Sequence, residues 1–224
     1  MAETNSGTRP SMKSLILFPA IITLAVTLLR LVGELEHWSP VLFNRNAGGG
    51  AALVGIAWLP IIFGTYFALK LSSSGEGPAS AGKSIGFVVV AIAVFVLGGF
   101  LAFAPQVKFP GKMLLGIVLI AASAVIPLSG WSALGKVLLA YAFAARIPVV
   151  LLMFFAIRGS WGTHYDALPP EQPVPATFGA QYIQFAVVPQ LVFWIAYTVI
   201  LGGLFGSVVT AIARRGKTAM QGAS

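Results

Sequence analysis

The sequence predicts an all-α, polytopic integral membrane protein, a bundle of six transmembrane helices. Three observations carry that prediction. Only 9% of the 224 residues are charged, and mean hydropathy is +0.91. Six apolar stretches recur along the chain, each long enough to cross a hydrocarbon core of roughly 30 Å. Polar residues collect between them: both histidines and four of the six acidic residues fall in Glu34–His37 and His164–Glu171.

Taken in order, Met1–Ser14 is a polar, basic tail that leads into Leu15–Val32. Arg9 and Lys13 resemble the positive region of a signal peptide. Leu15–Val32 is longer than a signal core, however, and Arg30 and Glu34 stand where a small-residue cleavage motif would lie. An uncleaved first span is therefore expected. The following spans are Ala51–Leu71, Ile85–Ala104, Met113–Trp131, Val137–Ile157 and Pro189–Ala211. Breakers in Asn44–Gly50, Ser72–Gly82, Pro105–Gly111 and Pro169–Pro175 separate them. The expected organisation is a tail (1–14), one membrane domain (15–213) and a basic C-terminal tail (214–224), with no separate soluble domain. Only the turn around Gly130–Gly135 is tight enough to make two spans, the fourth and fifth, obligatory neighbours.

Alternating spans divide the basic residues unequally. Arg9, Lys13, Lys70, Lys83, Lys136, Arg214, Arg215 and Lys217 share the side of the N-terminus, eight in all, against four (Arg45, Lys108, Lys112 and Arg158) on the other. The positive-inside rule then places both termini in the cytoplasm and the two acidic, histidine-bearing segments outside, in a plasma membrane. Trp38, Trp131 and Trp161 fall at span ends, as an aromatic belt requires. The net charge of +8 is spent on these flanks, where it meets lipid headgroups, and gives no sign of a nucleic-acid partner. Absence of cysteine excludes disulfides, thiolate metal sites and cysteine redox chemistry.

Five spans carry a proline: Pro19, Pro60, Pro127, Pro148 and Pro189. Each removes an amide donor and either kinks a helix or opens a polar spot within the membrane. Ala57–Lys70 and Ala145–Arg158 share alanine, proline, phenylalanine and alanine in register, in spans that run in opposite directions. A 3+3 inverted repeat would produce that relation, although apolar segments also match easily by chance.

Arg146 is the strongest chemical signal. It stands ten residues after Lys136 and twelve before Arg158, which at about 1.5 Å per residue is near the bilayer midplane. A charge there costs at least about 2.5–3.5 kcal/mol, and no span offers a carboxylate at that depth. Its partners must be freed carbonyls, Tyr141, Tyr197 or Gln190, water, or an anionic ligand. It either ties kinked helices together or anchors an anion. Arg30, Glu34 and His37 share one helix face, with Arg30–Glu34 an ion pair at the membrane boundary. His164 and Asp166 lie just beyond the fifth span. With His37 and Glu34 they supply donors for Zn²⁺ if the first and fifth spans adjoin, and two histidines on one side leave room for haem. Gly202 and Gly206 form a small-xxx-small pair suited to close packing, homo-oligomerisation or a membrane-complex partner.

No nucleophile has a recognisable base, and no phosphate loop is present. The leading expectation is binding or translocation of a small anionic or amphiphilic solute. Arg146 would be its midplane anchor, with Arg30, Glu34 and Gln190 as further ligand contacts. A non-catalytic accessory or scaffold subunit is the second expectation. A membrane enzyme with an outer histidine–carboxylate metal site is the third.

Overall fold

A computed structural model describes residues 11–49, 52–169 and 173–221, with 216–221 described by backbone alone. Gly50, Ala51 and Glu171, and most of the expected N-terminal tail, lie outside the described residues. Every long regular element is helical. They are α1 (Met12–Leu35), α2 (Leu59–Ser73), α3 (Ala81–Phe103), α4 (Lys112–Ser123), α5 (Ser132–Gly159), α6 (Phe178–Tyr182) and α7 (Trp194–Gln221).

Local chemistry explains most boundaries. Ser11, Ser80 and Thr177 are N-caps, their side chains accepting hydrogen bonds from Ser14, Lys83 and Ala180 amides. After Leu35 the chain turns through His37 at φ 56°, and Phe43 folds back onto Gly33, where any Cβ would overlap its ring. Pro60 and Pro127 sit in first turns, where the missing amide costs nothing. Pro127 ends α4 early and restarts the chain as a 3-10 turn, Ile126–Ser129. Pro19 and Pro148, by contrast, lie inside α1 and α5. The two stretches that match in sequence thus differ in form: Pro60 opens a helix and Pro148 lies inside an unbroken one.

Among the described residues, five helical stretches are long and apolar enough to cross a membrane: α1, α3, Lys112–Ser129, α5 and Phe178–Arg215. The chain is an α-helical, multi-pass membrane protein in contact with lipid. α1, α3 and the α4 stretch bury only 22–28% of their apolar windows, so most of that surface needs hydrocarbon around it. The expected second span, Ala51–Leu71, differs most from expectation. Only Leu59–Ser73 is helical, 15 residues or about 22 Å, while 52–58 is bent. The glycines and Pro60 at its start explain the loss of helix there.

α5 and α7 form the centre. α2 lies on α7 with backbones nearly touching: Gly64 meets Gly202, and a Cβ on Gly206 would stand 2.8 Å from the Gly64 carbonyl oxygen. The Gly202/Gly206 pair expected to serve an oligomer or a partner chain is therefore covered by the chain's own α2. Small residues let helices approach where lipid supplies no hydrophobic drive. Phe63, Phe67 and Tyr141 pack edge to face at 5.4 and 5.6 Å beside them. Ser84 and Ser207 bond at 2.7 Å between α3 and α7, and Thr23 and Tyr141 at 2.8 Å between α1 and α5.

Candidate functional site

α1 and α5 run side by side in the same direction, so their C-terminal turns reach one end of the bundle. Charge gathers there around Glu34, whose side chain has no exposed surface. Arg30, one turn earlier, donates from Nε to Glu34 Oε1 at 2.7 Å, the spacing that an i, i+4 pair favours. Its Nη2 donates to the Asn44 and Gly49 carbonyls, both at 2.8 Å, which ties the loop after α1 to the helix. From the other side, the His164 amide donates to Glu34 Oε2 at 2.8 Å, and its Nδ1 lies 2.6 Å from Oε1. A carboxylate only accepts, so Nδ1 carries the proton. Burial, with the Arg30 charge adding to it, holds the His164 imidazole below its ordinary range against the pull of Glu34. A neutral ring donates to Glu34.

Asp166 completes the loop, accepting from the Gly162 amide at 2.9 Å, the Thr163 amide at 2.8 Å and Thr163 Oγ1 at 2.7 Å. Tyr165 beside it is buried, which raises its phenol and keeps it a donor, here to the Thr27 carbonyl at 3.1 Å.

These bonds show where the four residues of the metal expectation lie. His37 is exposed, its Nδ1 2.7 Å from the Leu35 carbonyl, and it lies outside the cavity that His164 lines. Glu34 is committed to Arg30 and His164, and Asp166 to its own turn. Among the described residues no group of three or more His, Cys, Asp or Glu side chains could hold a metal ion. The first and fifth spans do adjoin, yet zinc finds no convergent set of ligands and haem no paired histidines.

Below that knot, a cavity of about 570 Å³ runs from Arg30 and His164 down to Arg146, within the roughly 300–1,000 Å³ of small-ligand sites. Arg146 is 4% exposed. Its Nη1 donates to Gln190 Oε1 at 3.2 Å, and its guanidinium stacks over Trp194, 4.6 Å from the ring centroid. Nε is buried with no hydrogen-bond partner among the described residues. Tyr141, a candidate partner by depth, is bonded to Thr23 instead.

The wall facing Arg146 has an origin that the sequence analysis missed. The last crossing begins at Phe178, eleven residues before the expected Pro189, and passes through two π-helical turns, Ile183–Val187 and Pro189–Phe193. Proline cannot donate to the preceding turn, and a widened turn lets the helix continue past it. That widening presents Gln190 to Arg146 and lines the cavity with Gln184, Phe185 and Val188. Thr27, Tyr165 and Trp194 are further lining residues absent from the expected set. Trp194 gave no signal in the sequence, because it stands only five residues from the expected span start at Pro189 and becomes deep only with the start at Phe178. The chain matches no family model, no curated protein and no solved structure.

Proposed function

We propose that this chain binds or translocates a small anionic or amphiphilic solute, held at Arg146 in the cavity between α1, α4, α5 and the π-helical start of the last crossing. The observation that carries this reading is the unpartnered Nε of Arg146, buried at the edge of an open cavity. A cation at that depth needs more than one neutral amide and an aromatic face, and an oxyanion supplies what is missing. We further take the protein to cross a plasma membrane six times with both termini cytoplasmic, the second crossing being shared by 52–58 and α2. Two contacts support that count. Trp131 Nε1 donates to the Glu76 carbonyl and Arg214 Nη1 to the Pro78 carbonyl, which joins the start of α5 and the end of α7 to the α2–α3 loop.

The scaffold reading needs Arg146 to pair with another chain, and its burial within this one favours a small ligand instead. The enzyme reading depended on a shared histidine–carboxylate centre, and the two histidines take separate partners. The test is a thermal-shift panel of small and amphiphilic anions on wild type and Arg146→Gln in detergent. At least one anion should stabilise the wild type and leave a folded variant unaffected. A wild type stabilised by no anion, beside a variant that does not fold, would overturn the reading.

A further inference from the structure

We infer that the ligand is a long-chain amphiphile with a single oxyanion headgroup, and that it enters Arg146's cavity sideways from the bilayer, between α1 and the α3–α4 turn. This rests on the anion reading above and deepens it. Polarity along the cavity is inverted relative to a site fed from water. The lining residues at its open rim are apolar: Phe103 is 58% exposed, Met113 47% and Ile183 56%. The two arginines and the phenol are buried, Arg146 at 4%, Arg30 at 8% and Tyr165 at 3%, while His164, Gln184 and Gln190 are half-buried. α1 and α4 both line the cavity, yet α1 packs only on α5 and α2 and touches neither α3 nor α4 among the described elements. The gap between them faces the acyl phase. At the polar end of the cavity, the bonds among Arg30, Glu34 and His164 tie the loops after α1 and α5 together.

Charge fixes the headgroup. Arg30 is neutralised by Glu34 at 2.7 Å, so among the lining residues Arg146 is the cation without a carboxylate. One negative charge balances it. Ile117, Ile120, Val149 and Met153 then offer an apolar surface to a chain leading away from that charge. A carboxylate and a phosphodiester share this chemistry, each with one negative charge at neutral pH, the first as a free fatty acid and the second as a lipid-derived headgroup.

Trp194 on Arg146 is a built-in reporter. With the full chain in nanodiscs of zwitterionic lipid, a dibrominated long-chain carboxylate or alkyl methyl phosphate diester should quench Trp194 more strongly than the alcohol of the same chain. Trp194→Phe should remove that quenching, and Arg146→Gln should weaken binding about tenfold or more through loss of a charge-assisted bond. Ile117→Phe, which narrows the apolar part of the cavity and adds no second tryptophan, should lower quenching and keeps the test decisive if Arg146→Gln does not fold. A preference for either headgroup identifies the source and supports the proposal. Acetate or inorganic phosphate displacing the long chain at equal affinity would overturn the amphiphile and leave the anion reading intact. Equal quenching by the alcohol, or binding of no anion of any length, would overturn both.

Discussion

Arg30 and Arg146 lie in adjacent, parallel helices, each nearly buried at 8% and 4% exposure, and the chain treats them in opposite ways. Arg30 has a carboxylate one turn away and two loop carbonyls, all within 2.8 Å. Arg146 has one amide oxygen at 3.2 Å, a tryptophan face and an unpartnered Nε beside a cavity. The first arrangement completes a fold: it fastens α1, its following loop and, through Glu34, the loop after α5. The second leaves binding capacity unused. A buried arginine is therefore not a functional signal by itself; the count of its partners is what separates anchor from site.

The comparison breaks most readily at Glu34. Glu34→Gln strands the Arg30 charge in a dry site, and losing one partner of a buried pair costs about 3–5 kcal/mol. The yield of monodisperse protein and the thermal midpoint in detergent should both drop sharply. An unchanged midpoint would mean that the knot holds nothing together. Next in size is the α2–α7 contact, where Gly64→Leu should overpack a seam with no room for a Cβ, at about 1–3 kcal/mol. A variant as stable as wild type would place α2 elsewhere.

Smaller effects sharpen the account. Tyr165→Phe deletes one bond, to the Thr27 carbonyl, and should lower stability by about 0.5–1.5 kcal/mol while leaving the fold intact. The pH dependence is smaller again. In the folded chain His164 titrates below its ordinary 6.5, so on acidification the unfolded chain takes up a proton first. Stability is then full at neutral pH and falls as pH drops through that value and towards the lower folded one. His164→Gln should flatten part of the decline in thermal midpoint between about pH 7.5 and 5. Identical slopes in variant and wild type would remove His164 from the titration.

How much of this was legible depended on whether the information is local. Apolar span length made the fold class legible, and i, i+4 spacing gave the Arg30–Glu34 pair. Distance from flanking charges marked Arg146 as deep, and Gln190 was one of three polar side chains offered as its partners. Adjacency was not legible, because nothing local says that α1 and α5 share an end or that His164 turns inward while His37 turns out. The φ of 56° at His37 reverses the face that the helical spacing assigned to it. The shortened α2 and the early start at Phe178 were misread for related reasons. Hydropathy does not distinguish a bent apolar segment from a helical one, and Pro189 looked like a beginning when π turns carry the helix through it.

The most direct test of the contrast is a matched pair, Arg30→Met and Arg146→Met. Each is measured for its thermal midpoint without ligand and for its stabilisation by anionic amphiphiles. The account predicts a large loss of midpoint for Arg30→Met, because Glu34 then lies buried without its cation. For Arg146→Met it predicts stability within about 1 kcal/mol of wild type, since loss of the Gln190 bond and the Trp194 contact is offset by removal of a desolvated charge, together with no response to ligand. An Arg146→Met protein that fails to fold, beside an Arg30→Met protein as stable as wild type, would contradict it.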